Sequence, residues 1–208
     1  MMEQRSEEWF AARLGKVTAS RVADLMAMTK SGYSVSRANY MAELICERLT
    51  GSQAERFSNA AMQWGADVEP QARAAYEFIT DAAVSEVGFV PHQTIEMFGA
   101  SPDGLVGDFG LIEIKCPNTA THIETLLNEA VPAKYVTQMQ VQMACTGREW
   151  CDFVSFDPRL PADLQIWTSR LHRDSAVIEN IEAETVKFLG ELAAKVEALR
   201  VKYMQEAA

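Results

Sequence analysis

The sequence predicts an α/β fold: a central mixed β-sheet flanked by helices, with additional helices at the N-terminus and one long helix at the C-terminus. Three observations carry that reading. Helical periodicity dominates up to about residue 78. Short apolar and β-branched runs separated by turns then occupy residues 84–115. Two helical segments, two further strands and a long helical tail complete the chain.

Ser6 is placed to cap a helix over residues 7–14, with Gly15 as its left-handed stop. A second helix is expected to start around residues 18–20 and to end before Gly32. Ser36 caps a third that runs to Leu49 and closes at Gly51; Tyr40, Leu44, Ile45 and Leu49 keep helical spacing along it. Residues 64–78 read as helix too. Pro70 fits only a first turn or a kink, so Glu69 either precedes a helix or sits at a bend.

Strands are expected over residues 84–90 and 95–99, then a turn, Ser101-Pro102-Asp103-Gly104, with a short return through Leu105 and Val106. The strand over residues 110–115 takes a buried character from Leu111, Ile112 and Ile114, and Pro117 closes it. Helices over residues 121–129 and 133–145 follow, the second set between Pro132 and Gly147. Strands over residues 150–156 and 164–171 complete the sheet. Asp174 or Ser175 opens a final helix reaching about Met204, whose stripe of Leu192, Val196, Leu199 and Tyr203 docks on the chain's own body or on another subunit. With no repeat or Pro/Gly-rich linker, residues 1–208 read as one domain, its core over about 64–172 and its terminal helix over about 175–204.

Composition is that of an ordinary globular protein, 48% hydrophobic. No apolar run is long enough to span a bilayer, and the charged start MMEQRSEEWF lacks the apolar centre of a signal peptide, so a cytoplasmic location is expected. A net charge of -10 argues against attraction of nucleic acid over the whole surface, yet permits a locally basic channel. Part of the acidity is what a carboxylate metal site would require. Cys46, Cys116, Cys145 and Cys151 match no zinc spacing. A site of Cys116, His122, Cys145 and Cys151 is arithmetically possible, but reduced cysteines filling apolar positions are the expected reading.

The chemistry concentrates in two short runs, Ser101-Pro102-Asp103-Gly104 and Ile112-Glu113-Ile114-Lys115. Glu113 and Lys115 are two apart on one strand and point to the same face. If that strand pairs with the one after the turn, Asp103 converges on them. Two carboxylates and the carbonyl of Ile114 form a hard oxygen set suited to Mg²⁺ or Mn²⁺, with Lys115 placed to orient a water or offset charge. Metal-assisted phosphodiester hydrolysis is the natural reaction. An Asp in a turn and charges on a half-exposed strand are common by themselves. The apolar opposite face of this strand favours the site.

Asp103 after Pro102, then Glu113-Ile114-Lys115, resembles the motif of the PD-(D/E)xK nuclease superfamily. Three further blocks resemble the lambda exonuclease and YqaJ-like phage recombinase family in order: Trp9 to Ser20 with Arg13, Gly15, Thr18 and Ala19; Trp64-Gly65 with Glu69, Ala72 and Arg73; and Tyr135 with Gln138 and Gln140. That resemblance implies a restriction-endonuclease-like core and a Mg²⁺-dependent exonuclease acting from 5′ to 3′ on linear double-stranded DNA. Such an enzyme leaves 3′ overhangs for a single-strand annealing protein.

The resemblance further implies two Mg²⁺ ions, replaceable by Mn²⁺. Asp103 would bridge them, with Glu69, Glu113 and the Ile114 carbonyl as the other ligands and Lys115 acting on the attacking water. Gln138 would contact the site, and Gln142, on the same helical face, is a second candidate. Arg13, Ser20 and Ser101 would grip the 5′-phosphate. Met62 would be a wedge at the duplex end or plain core. A homotrimeric ring and a phage or prophage origin in a bacterial host are also implied. Related endonucleases, 3′-directed nucleases and an inactive DNA-end-binding scaffold are the alternatives.

Overall fold

The computed structural model describes residues 2–53 and 60–204. The N-terminal part is built from α1 (Glu7–Arg13), β1 (Val17–Thr18), a 3-10 turn over Ala19–Arg21, α2 (Val22–Met26), a hairpin of β2 (Met28–Thr29) and β3 (Gly32–Tyr33), and α3 (Val35–Thr50). Ser6 caps α1 by accepting the Trp9 amide, and Gly15 takes a left-handed φ of 67°, as expected. The expected second helix is much shorter, because a hairpin occupies residues 28–33. Ser34 rather than Ser36 caps α3, accepting from the Arg37 amide, while the Ser36 hydroxyl bonds the Ser34 hydroxyl instead.

α4 (Ala60–Thr80) runs continuously through Pro70. Glu69 therefore lies inside a helix rather than ahead of one. Pro70 forfeits only the hydrogen bond that its missing N–H would have made to the preceding turn. The strand expected over residues 84–90 is two short ones, β4 (Val84–Ser85) and β5 (Val90–Pro91), which join different sheets. β6 (Phe98–Ala100), β7 (Gly104–Val106) and β8 (Gly110–Lys115) follow, then α5 (Thr119–Asn128), α6 (Ala133–Thr146), β9 (Trp150–Phe156), β10 (Ile166–His172) and α7 (Ser175–Tyr203).

The main sheet has the order β10-β9-β8-β7-β4. Only the β8·β9 pairing is parallel, so the sheet is mixed. β8 shows why residue alternation matters. Ile112, Ile114 and Cys116 join Val68, Ala72 and Tyr76 of α4 on one face. Leu111 joins Met139 and Met143 of α6 on the other. Glu113, on that second face, therefore meets α6. A second sheet, β1-β6-β5, packs with α2, α3, α6 and α7 around Leu25, Tyr40, Leu44, Phe188 and Leu192. Leu192 and Val196 of α7 are buried in this body and Leu199 is half-buried, whereas Tyr203 is exposed.

The four cysteines are free, and the buried three fall in three separate apolar clusters. His122 is hydrogen-bonded to the Ser155 hydroxyl at 2.7 Å and the Leu164 carbonyl at 2.9 Å. The Cys/His metal site is therefore not assembled. Among the described residues, no helix is long and apolar enough to cross a membrane.

Candidate active site

The antiparallel pairing of β7 with β8 sets Gly104 opposite Ile112. Asp103, one residue before β7, thereby arrives beside Glu113 and Ile114. Its Oδ2 accepts a 2.7 Å hydrogen bond from the Ile114 amide, which fixes the carboxylate against the strand that carries the other charges. Gly104 is required for this approach: a Cβ there would collide with the Val84 side chain and crowd Ile112.

Glu113 is fully buried. Its Oε1 receives the Lys115 ammonium and a 2.6 Å hydrogen bond from Gln138 Nε2, and its Oε2 receives one from Gln142 Nε2 at 2.5 Å. The Gln142 amide is itself oriented, because its Oε1 faces the Cys151 thiol at 3.7 Å. Burial keeps that thiol protonated, raising its pKa well above the ordinary value, so it serves as a donor. Gln138, implied by the resemblance, and Gln142, added from helix phase, thus both point inward and hold the carboxylate. Gln140 points elsewhere, to the His172 carbonyl and the Asp174 amide.

Burial, and then the nearby Asp103 carboxylate, push the Glu113 carboxyl up to about 7, with Lys115 opposing. Lys115 is raised as well. Burial lowers its pKa, but the Glu113 and Asp103 carboxylates outweigh burial and raise it, so it stays a cation.

Glu69 reaches the same region from α4, across the sheet. Its carboxyl is raised by burial and by Asp103, against Arg5, Arg73 and Lys115. Its two oxygens are engaged by guanidinium groups, Oε1 by Arg73 and Oε2 by Arg5, each at 2.9 Å. Arg73 also pairs with Glu86 and donates to the Asp103 carbonyl at 3.4 Å. A cleft of about 230 Å³ opens here, lined by Arg5, Glu69, Pro70, Arg73, Glu86 and Asp103 among others.

The donor set suits a hard divalent cation: the side-chain donors are carboxylate oxygens, and Glu69 and Glu113 are each disfavoured in their charged form by burial and then by the proximity of Asp103. As the side chains stand, no three His, Cys, Asp or Glu groups among the described residues converge closely enough to hold an ion. Arginine and lysine partners hold two of the carboxylates, Glu69 by Arg5 and Arg73 and Glu113 by Lys115.

A second constellation adjoins the first. Ser101, two residues before Asp103, accepts hydrogen bonds from Arg13 Nη1 at 3.1 Å and Trp9 Nε1 at 2.9 Å. The Arg13 guanidinium lies over the Trp9 ring, 4.0 Å from its centroid. β1 and β6 run parallel, with Thr18 beside Gly99, so Ser20 and Ser101 leave their strands at the same end. Ser20 is exposed there, 3.4 Å from the Thr18 hydroxyl. Met62 is 59% exposed near the start of α4, so it is not core.

Arg5, Arg73 and Cys151 carry no site role in the sequence reading. The Glu69/Arg73 spacing of four on a helix was a usable signal. Arg5 and Cys151 reach the site only through tertiary contact.

With this geometry in hand, the model of the YqaJ-like viral recombinase domain matches residues 8–149. Among solved structures, the chain is similar to LHK-Exo in complex with dAMP, at 62% identity and a TM-score of 0.89 over 95% of this chain and 97% of that one. It is likewise similar to an alkaline exonuclease (LHK-Exo) from Laribacter hongkongensis, at 61% identity with the same TM-score and the same coverage of 95% and 97%. A phage related exonuclease from Haemophilus somnus 129PT, at 19% identity, has a TM-score of 0.70 over 86% of this chain and 96% of its own, a likeness of fold alone. No curated protein sequence matches.

Proposed function

The chain belongs to the YqaJ-like viral recombinase family, and on that premise we propose that it is a single-domain, divalent-metal-dependent exonuclease. It degrades one strand of linear double-stranded DNA from 5′ to 3′ and leaves 3′ overhangs for phage-type recombination by strand annealing. The observation that carries this reading is the adjacency of two chemistries on one strand end. Arg13 bonds Ser101, and two residues on Asp103 bonds the strand that holds Glu113 and Lys115. A terminal 5′-phosphate held by Arg13, Ser20 and Ser101 would set the first phosphodiester beside the carboxylates, which gives the cut its direction. The dAMP bound to the 62% identical relative is chemically the unit that removal of one terminal nucleotide releases.

Asp103, Glu69, Glu113 and the Ile114 carbonyl would hold Mg²⁺, two ions in the full site, with Mn²⁺ able to substitute. The bound metal supplies Lewis-acid polarisation of the phosphoryl oxygen and a water of lowered pKa. Lys115, kept cationic by Glu113 and Asp103, orients the attacking water. Gln138 and Gln142 fix the Glu113 carboxylate so that its oxygens need no reorganisation on binding. Met62, exposed near the start of α4, is the proposed wedge between the strands of the duplex end. The proposed working form is a homotrimeric ring around DNA in the cytoplasm of a bacterial host, partnered by a single-strand annealing protein. Enclosure in a ring would let an acidic protein stay on DNA despite weak electrostatic attraction.

The test compares wild type with Lys115→Ala on linear duplexes with and without 5′-phosphates in Mg²⁺. Release of nucleotides from 5′-phosphorylated ends, abolished in the variant, is the expected result. Digestion from 3′ ends, or internal cutting of circles, would point to the other nucleases of the superfamily. Binding without hydrolysis would point to an inactive scaffold.

A further inference from the structure

We infer that Arg5 is a phosphate-binding residue held in reserve: it neutralises Glu69 while the carboxylates lack a divalent ion, and turns to the DNA backbone once Glu69 takes one. The inference rests on the reading of Glu69 as a metal ligand.

Its basis is the segment ahead of α1. Gln4 Nε2 donates to the carbonyls of Val87, at 2.8 Å, and Pro102, at 2.7 Å, the latter belonging to the residue before Asp103. The Met2 backbone carbonyl lies so close to Gly88 that a Cβ there would sit 2.6 Å from it. The Ser6 hydroxyl and amide both bond the Glu3 carbonyl, at 2.7 and 3.4 Å. Between these anchors Arg5 adopts φ 70°, a left-handed conformation unfavourable to a non-glycine residue. The backbone is thus pinned where it delivers one guanidinium to the cleft. The head group is not pinned: the Arg5 side chain is 55% exposed and bonds Glu69 Oε2 at 2.9 Å.

Charge completes the argument. Glu69, Asp103, Glu113 and Glu86 face Arg5, Arg73 and Lys115, four carboxylates against three cations, and each cation is committed to a carboxylate. A divalent ion on the carboxylates of the cleft would take over the neutralisation that Arg5 supplies to Glu69. Arg5 is the most exposed of its cations and the one on a flexible end of a long side chain, so it is the one that can release its carboxylate and meet an incoming phosphodiester. Arg73 stays anchored by Glu86 and the Asp103 carbonyl.

Two measurements on Arg5→Ala and Glu69→Gln test this. Titration calorimetry with Mn²⁺ reads the exchange: removing an exposed competing ion pair should tighten binding about two- to fivefold in Arg5→Ala. Fluorescence anisotropy of a blunt duplex reads the reserve. With EDTA, Arg5→Ala and wild type should bind alike; with Ca²⁺, the variant should bind more weakly, its salt slope lower by about 0.9. Unchanged or weaker Mn²⁺ binding by Arg5→Ala overturns the inference, as does a DNA deficit of equal size with and without Ca²⁺. Glu69→Gln separates the two levels. If it binds Mn²⁺ as wild type does, the metal reading of Glu69 fails. If it loses Mn²⁺ while Arg5→Ala shows no tightening, only the role of Arg5 fails.

Discussion

Replacing Gln142 with leucine asks whether α6 belongs to the site or only to the core. Gln142 is 0% exposed, and its amide spans from Glu113 to the Cys151 thiol. A hydrogen bond to a charged group is worth about 1.5–3 kcal/mol, and the thiol contact adds little. Leucine is apolar and close in size, so the cavity left behind is small. The expected loss is about 2 kcal/mol, which for a chain of this size lowers the melting temperature by about 4–8 °C. Disturbing a group that orients a proposed metal ligand should also weaken Mn²⁺ binding by about 10–100-fold.

Gln140→Leu supplies the control. Gln140 is equally buried, two residues away, but bonds the His172 carbonyl and the Asp174 amide at 2.9 and 3.0 Å. Its removal should cost a similar amount of stability, about 2 kcal/mol for two neutral hydrogen bonds, and leave Mn²⁺ affinity within about twofold. Thermal denaturation and calorimetry read both variants. If the two melt alike and bind Mn²⁺ alike, the orientation of Glu113 does not depend on α6, and the reasoning is refuted.

Arg13→Ala should remove one charge-assisted contact to a terminal phosphate and so weaken binding of 5′-phosphorylated duplexes by about 10–100-fold, with 5′-hydroxyl ends unaffected. An unchanged ratio between the two ends would show that the pocket lies elsewhere. Asp157 is expected to contribute to the acid sensitivity of the fold. Burial raises its pKa, but hydrogen bonds from Arg159 and Thr119 outweigh this and hold its carboxyl down to about 2, below the 3.8 of an unperturbed aspartate. That depression stabilises the folded chain above about pH 4 and is lost as pH falls through about 2, an effect of about 2 kcal/mol after allowing for the half-exposed Arg159. Asp157→Asn should flatten the fall of urea midpoints over that range, and an undiminished fall would assign the acid sensitivity to other groups.

The parts of the fold legible in the sequence are those whose signal is local. β9 was bounded correctly because a seven-residue run rich in aromatic and apolar residues lies between Gly147 and the proline-flanked residues 158–161. The face of β8 that carries Glu113 and Lys115 followed from period-two alternation alone. The caps at Ser6, Asp174 and Gly147 were equally local. The failures lay where several segments compete for the same role. Ser34 and Ser36 are both competent caps, and only the chain's exit from the β3 hairpin selects the first. Residues 84–91 have strand character throughout, but β4 and β5 pair with different partners, which no single window can show. Pro70 argued for a helix boundary. The packing of Val68, Ala72 and Tyr76 on both sides of it holds one continuous helix at the cost of one backbone hydrogen bond.

The site divides along the same line. Asp103, Glu113 and Lys115 were legible because twelve residues and one tight antiparallel pairing bring them together. Their surroundings were not, and the net charge of -10 shows why bulk composition misleads here. Arg5 and Arg13, Arg73, and Lys115 come from three separate stretches and gather around Ser101 to Asp103, so the local basic character is assembled by tertiary structure. Each of these cations is at the same time committed to an oxygen of the protein. On the proposed reading, a divalent ion at the carboxylates would release Arg5 for phosphate, so that affinity for DNA would depend on occupancy of the metal centre.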